Sequence, residues 1–89
     1  MIDMTNTARK FLSGLPAKQF KQVGEKIFSL LKEPFPADAK HLSGHDGFRR
    51  VDSGEYRICY QFTNNVVKVV VVGKRNDDAV YRQLNRVNG

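Results

Sequence analysis

The chain has 89 residues, 40% of them hydrophobic, and 15 Lys and Arg against 9 Asp and Glu, a formal charge of +6. That length suits one compact domain over residues 1–89, with a core thin enough to gain from a partner. One cysteine, Cys59, excludes an internal disulfide. The polar start from Met1 to Lys10 lacks a signal-peptide run, and the longest apolar stretch is broken by Lys68, so a soluble cytoplasmic protein with no membrane contact is expected.

Met1 to Met4 reads as a short first strand. Thr5 and Asn6 are good helix caps, and Ala8, Phe11, Leu12 and Leu15 then repeat at helical spacing. Gly14 lies near the end of that helix and Pro16 suits the first turn of the next. The second helix is expected to bury Phe20, Val23, Ile27, Leu30 and Leu31, with Lys18, Lys21, Lys26 and Lys32 outside. It must stop before Pro34 and Pro36, because proline disfavours a helical residue ahead of it. The two helices are expected to form an antiparallel hairpin.

Ala37 to Gly47 reads as loop. Three strands are then expected: Phe48 to Val51, a turn at Asp52-Ser53-Gly54, Glu55 to Thr63, a tight turn at Asn64-Asn65, and Val66 to Val72. Alternation along the middle strand puts Tyr56, Ile58, Tyr60 and Phe62 on one face, towards the helices, and Arg57, Cys59 and Gln61 on the other. A last helix is expected after Gly73-Lys74-Arg75, capped by Asn76, with Asp77 and Asp78 in its positive first turn and Val80, Leu84 and Val87 as its apolar stripe. The fold class is α+β: an N-terminal helical hairpin on a three- to four-stranded antiparallel sheet, closed by a short C-terminal helix.

Candidate chemistry is sparse. His41 and His45 lack Cys or carboxylate companions at metal-binding spacing, Cys59 has no catalytic context, and no phosphate-binding glycine loop is present, so neither metal nor cofactor is expected. From Lys40 onward nine basic residues face five acidic ones, several of them on strands, where charge is held in fixed geometry; nucleic acid is the favoured polyanion. Arg49, Arg50, Arg57, Lys74 and Arg75 lie on or beside strands that can bring them together. Such a cluster is costly unless an anion neutralises it. Ion pairs to Asp52, Glu55 or Asp77 are the structural alternative, less favoured for Arg57 and Arg75 and evenly balanced for Arg50.

The run Phe48-Arg49-Arg50-Val51-Asp52-Ser53-Gly54-Glu55-Tyr56-Arg57-Ile58-Cys59-Tyr60, followed by Val72-Gly73-Lys74-Arg75-Asn76-Asp77-Asp78-Ala79-Val80-Tyr81, resembles the second half of RelE/ParE toxins. The helices from Ala8 to Leu31, the Pro34-Phe35-Pro36 break and Lys40-His41-Leu42-Ser43-Gly44 are similar to the lead-in of that family. The resemblance implies a RelE-like fold and the toxin of a type II toxin–antitoxin pair. It also implies cleavage of messenger RNA on the ribosome, neutralisation by an acidic antitoxin, and contact with operator DNA only through the antitoxin complex. By the same resemblance Arg57, Arg75 and Tyr81 are the catalytic set. Arg49 matches a basic residue of the first sheet strand, or Arg50 does if the register slips by one, and Arg49, Arg50 and Lys74 hold RNA. The family's second basic residue, two places further on, is Val51 or Asp52 here. Two other readings share the fold: a ParE-like inhibitor of DNA gyrase without nuclease chemistry, and a non-catalytic module that binds antitoxin or RNA.

Overall fold

A computed structural model describes residues 1–42, 44–76 and 82. The element order is β1 (Ile2–Met4), α1 (Asn6–Ser13), α2 (Ala17–Lys32), β2 (Lys40–His41), β3 (Phe48–Ser53), β4 (Tyr56–Thr63) and β5 (Val66–Lys74). The five strands form one sheet in the order β1-β5-β4-β3-β2. The sheet is mixed rather than antiparallel, because β1 pairs with β5 in parallel, Ile2 opposite Val67 and Met4 opposite Val69. The fifth strand is the Lys40–His41 pair, expected as loop, which extends β3 through Lys40 opposite Arg50 and His41 opposite Arg49. Two residues are too short for a periodicity signal; the pairing exists because β3 presents an open edge. The expected C-terminal helix lies outside the described residues apart from Asn76 and Arg82.

Both helices pack on one face of the sheet. Ala8 and Leu12 of α1 and Val23, Ile27 and Leu30 of α2 form one buried cluster with Val51, Tyr56, Ile58, Tyr60, Val67, Val69 and Val72. Phe20 and Leu31, expected in this core, are instead 50% and 42% exposed. The apolar stripe of α2 is wider than the strip of sheet it touches, so one flank stays in water. Prolines bound the helix: Pro16, expected in its first turn, is instead its N-cap, and the helix ends as expected ahead of Pro34, at Lys32.

The start of α1 is tied to an irregularity in β5. Cys59 is opposite Val71 and Tyr60 opposite Val69, which leaves Val70 as the extra residue of a β-bulge. The Thr5 hydroxyl donates to the Val70 carbonyl at 2.6 Å and accepts from the Ala8 N–H at 3.2 Å, so one side chain caps the helix and satisfies the bulge. The bulge also shifts the facing of β5. Val67, Val69 and Val72 turn to the helices, whereas Val70 and Val71 pack on the opposite face with Leu42, Phe48 and Cys59.

Both hairpins are tight. Asn64 and Asn65 have φ of 52° and 63°, the left-handed geometry that a two-residue turn demands. Between β3 and β4 the turn is Gly54-Glu55 rather than the expected Asp52-Ser53-Gly54, so β3 runs two residues further, with Ser53 paired to Tyr56 and Asp52 to Arg57. Gly54 takes φ 59°, and a Cβ there would meet the Gln22 side chain at 2.9 Å. Gly54→Ala should therefore destabilise the fold by about 1–3 kcal/mol, measured as a lowered urea midpoint with unchanged slope.

Candidate nucleic-acid interface

The hairpin register decides which cations meet. Two-residue alternation along β3 places Arg49 with Val51, which faces the helices, and Arg50 and Asp52 with Phe48, which faces away. On that far face Lys40, Arg50 and Cys59 lie in one row across β2, β3 and β4, and Asp52, Arg57 and Gly73 lie in the next, across β3, β4 and β5. Arg50 and Arg57 therefore flank Cys59. Burial pushes the Cys59 thiol up to about 11, while Arg57 and Arg50 pull it down and Asp52 pushes it up. Cys59 is a buried floor residue of this face with no exposed surface.

Arg57 is engaged by Asp52, against the expectation that this ion pair was the less favoured reading. Its Nε donates to Asp52 Oδ1 at 2.9 Å and its Nη2 to Oδ2 at 3.4 Å. The cause is the later turn: with Gly54-Glu55 as the loop, Asp52 is a strand residue directly opposite Arg57. A two-pronged contact fixes the plane of the guanidinium as well as its position.

Arg49 does not join this group. Its guanidinium lies 4.3 Å from the centre of the Phe35 ring, on the helix side, where Phe35 also meets Phe62 edge-on at 5.5 Å. Arg49 is opposite Tyr60, whose hydroxyl donates to the Pro34 carbonyl at 2.6 Å; burial raises the Tyr60 pKa, partly offset by Arg49. Arg49 thus pins the segment after α2, a cation–π contact that spacing along the chain does not reveal. Of the two register alternatives, Arg50 shares the face of Arg57.

Beyond the end of β5, the Arg75 N–H donates to the Glu55 carbonyl at 2.9 Å, tying this residue to the β3–β4 turn. Gly54, Glu55, Lys74, Arg75 and Asn76 line a polar recess of about 340 Å³ beside the turn, and Lys74 and Arg75 are both exposed. Tyr81 lies outside the described residues. Among the described residues no group of three His, Cys, Asp or Glu could hold a metal ion, and no helix is long and apolar enough to cross a membrane.

The arrangement suits a polyanion. Lys40, Arg50 and Arg57 lie on the far face of the sheet, whereas Lys74, expected with them, is the last residue of β5 and pairs with Tyr56, so alternation turns it to the helix side, with Arg75 following it beside the β3–β4 turn. Asp52 is the residue that reasoning from sequence undervalued; its signal is a carboxylate five residues before an arginine across a two-residue hairpin.

A profile of the family described as "ParE toxin of type II toxin-antitoxin system, parDE" matches residues 2–79. Among solved structures, the isolated Escherichia coli RelE toxin is 26% identical with a TM-score of 0.74, over 97% of this chain and 95% of that one. A chain of the Mycobacterium tuberculosis RelBE2 toxin–antitoxin complex is 29% identical with a TM-score of 0.72, over 84% of this chain and 96% of that one. A chain of the archaeal RelE–RelB complex from Pyrococcus horikoshii is 25% identical with a TM-score of 0.72, over 83% and 92%. No curated protein matches the chain in sequence.

Two outcomes test the geometry of this face. Removing the partly buried ion pair with Asp52→Asn should cost about 1 kcal/mol, and a double-mutant cycle with Arg57→Gln should return most of that as coupling energy. The Cys59 thiol ionises at a higher pH folded than unfolded, so its contribution is complete below about pH 9 and is lost as pH rises through about 11. Wild-type stability should therefore fall by up to about 3 kcal/mol more than that of Cys59→Val across this window, measured by denaturant titration at each pH.

Proposed function

The chain belongs to the RelE/ParE superfamily of type II toxins, and from that premise we propose that it stops translation by cutting messenger RNA on the ribosome. The observation that carries this reading is the shared face of Arg50 and Arg57 around Cys59, with Arg75 tied to the adjoining turn. It is supported by the likeness to RelE toxins at 25–29% identity.

Cleavage would use the ribose 2′-OH as nucleophile. The oxygen attacks the neighbouring phosphorus, the bond from phosphorus to the 5′ oxygen breaks, and the products are a 2′,3′-cyclic phosphate and a 5′-hydroxyl. One group must take the 2′-OH proton, one must hold the charge on the phosphate oxygens, and one must return a proton to the departing oxygen. Arginine fits the second task because it stays charged and its planar fork matches phosphate oxygens. Arg57 takes this role, pre-oriented by Asp52 so that little reorganisation accompanies the reaction. Arg75 takes it from the rim of the recess, and Arg50 and Lys74 hold the backbone. Tyr81 is the proposed proton-transfer group. A site of arginines and a phenol is a weak proton-transfer device by itself, so dependence on the ribosome to align the substrate follows naturally. An acidic antitoxin is the proposed neutralising partner.

The second reading is inhibition of DNA gyrase without nuclease chemistry, favoured by the ParE description of the matching profile. Primer extension on translated messenger RNA separates the two. Discrete cuts within codons are expected, and Arg57→Ala and Arg75→Ala should each lower their rate roughly a hundredfold while leaving antitoxin binding in place. DNA damage without cuts, or cutting untouched in both variants, overturns the nuclease.

A further inference from the structure

The recess beside the β3–β4 turn holds a charged group that the cleavage scheme does not use. Gly54, Glu55, Lys74, Arg75 and Asn76 line it, and its volume of about 340 Å³ suits a small ligand. Lys74 and Arg75 have roles in that scheme; Glu55 has none. Its carboxylate is exposed and, among the described residues, takes part in no ion pair or hydrogen bond.

That is unexpected for its position. The Arg75 N–H donates to the Glu55 carbonyl at 2.9 Å, so the two residues are joined through their backbones, and Lys74 is the neighbour of Arg75. A surface carboxylate beside two cations is placed to pair with one of them. Here all three charged side chains line one hollow without pairing, which leaves it an acidic wall and a basic wall.

The acidic wall is firmly carried. Gly54 takes φ 59°, with the Gln22 side chain of α2 2.9 Å from where a Cβ would stand, and the Arg75 bond fixes the residue that follows. A group that selects among ligands needs such support. Arg57 is opposite Gly73 and Tyr56 opposite Lys74, so the recess lies one residue beyond Arg57 along the sheet. A nucleotide flanking a phosphate held at Arg57 therefore reaches it.

The chemistry of the two walls states what fits. Lysine and arginine suit phosphate, whereas an ionised carboxylate only accepts hydrogen bonds, through two oxygens side by side. Single-stranded RNA is read on the Watson–Crick edges of its bases. Guanine alone presents two adjacent donors there, the ring N1–H and the exocyclic amino group, and they match a carboxylate as a guanidinium does. Adenine and cytosine set a ring-nitrogen acceptor beside their amino group, and uracil flanks its one N–H with carbonyls. Each of these three brings a lone pair against the negative oxygens.

We infer that this recess seats a guanine beside the cleaved bond, with Glu55 accepting from its N1–H and amino group while Lys74 steadies its phosphate. Glu55 is thereby the specificity-determining residue of the chain. The inference rests on the chain being a ribonuclease, and it concerns which base is held rather than how the phosphodiester breaks.

Two measurements test it. In cell-free translation, messages that differ by one base at the cut are compared by primer extension. Wild type should cut beside guanine about tenfold or more in preference to the other bases, as one two-pronged base contact allows. Glu55→Gln should melt at the wild-type temperature, lose that preference and favour adenine, whose amino group and adjacent ring nitrogen pair with an amide. Equal cutting beside all four bases in wild type, or guanine preference kept in Glu55→Gln, overturns the inference. The second measurement needs no cutting: fluorescence anisotropy of the toxin with a short RNA whose central sugar is 2′-deoxy. Replacing its guanine by inosine, which lacks only the amino group, should weaken wild-type binding and leave that of Glu55→Ala unchanged. Equal binding of the two RNAs by wild type overturns the inference. Should no message be cut, the ribonuclease reading fails, and the inosine comparison still decides whether the recess holds guanine.

Discussion

The register of β4 against its two neighbours governs the rest of the molecule. β4 is the middle strand of the sheet, held to β3 by a two-residue turn at Gly54-Glu55 and to β5 by another at Asn64-Asn65. A hairpin of that length permits one pairing, and a slip of one residue would turn every side chain to the other face. Tyr56, Ile58 and Tyr60 would then leave the helix core, and Arg57 would be driven into it. The apolar demand of the helices and the geometry of the turns enforce the same register. Their agreement puts a guanidinium on the open face of a packed sheet.

The bulge at Val70 extends this control to the other end of the fold. By reversing the facing of β5 it lets a run of valines serve two clusters, one under the helices and one under the cationic face. Thr5 reads the bulge directly, because its hydroxyl spans the Val70 carbonyl and the first turn of α1. Helix position, strand facing and the floor beneath Arg50 and Arg57 are thereby mechanically connected. Cys59 belongs to that floor: its burial, not reactivity, explains a thiol that resists ionisation.

Two surfaces of contrasting chemistry flank the sheet. One is charged and set on strands, with Lys40 and Arg50 in one row and Arg57 in the next. The other is apolar, set on a helix flank, with a notch at Gly24. They lie on opposite faces of the sheet.

Much of this was legible in the residues. Helix boundaries followed from Thr5, Pro16 and Pro34, and the facing of β4 from its alternation, because caps, prolines and period-two patterns act over a few neighbouring residues. The family was legible too, since Gly54, Tyr56 and Arg57, and further on the Gly73-Lys74-Arg75 run, are each short local motifs. Tertiary structure alone decided the parallel partner of β1, the Lys40–His41 strand and the exposure of Phe20. Each depends on which surface of a distant element is already covered. It also decided that Arg49 stacks on Phe35 while Arg50 joins Arg57. Adjacent residues on a strand point to opposite faces, and only packing against the rest of the chain says which face is buried.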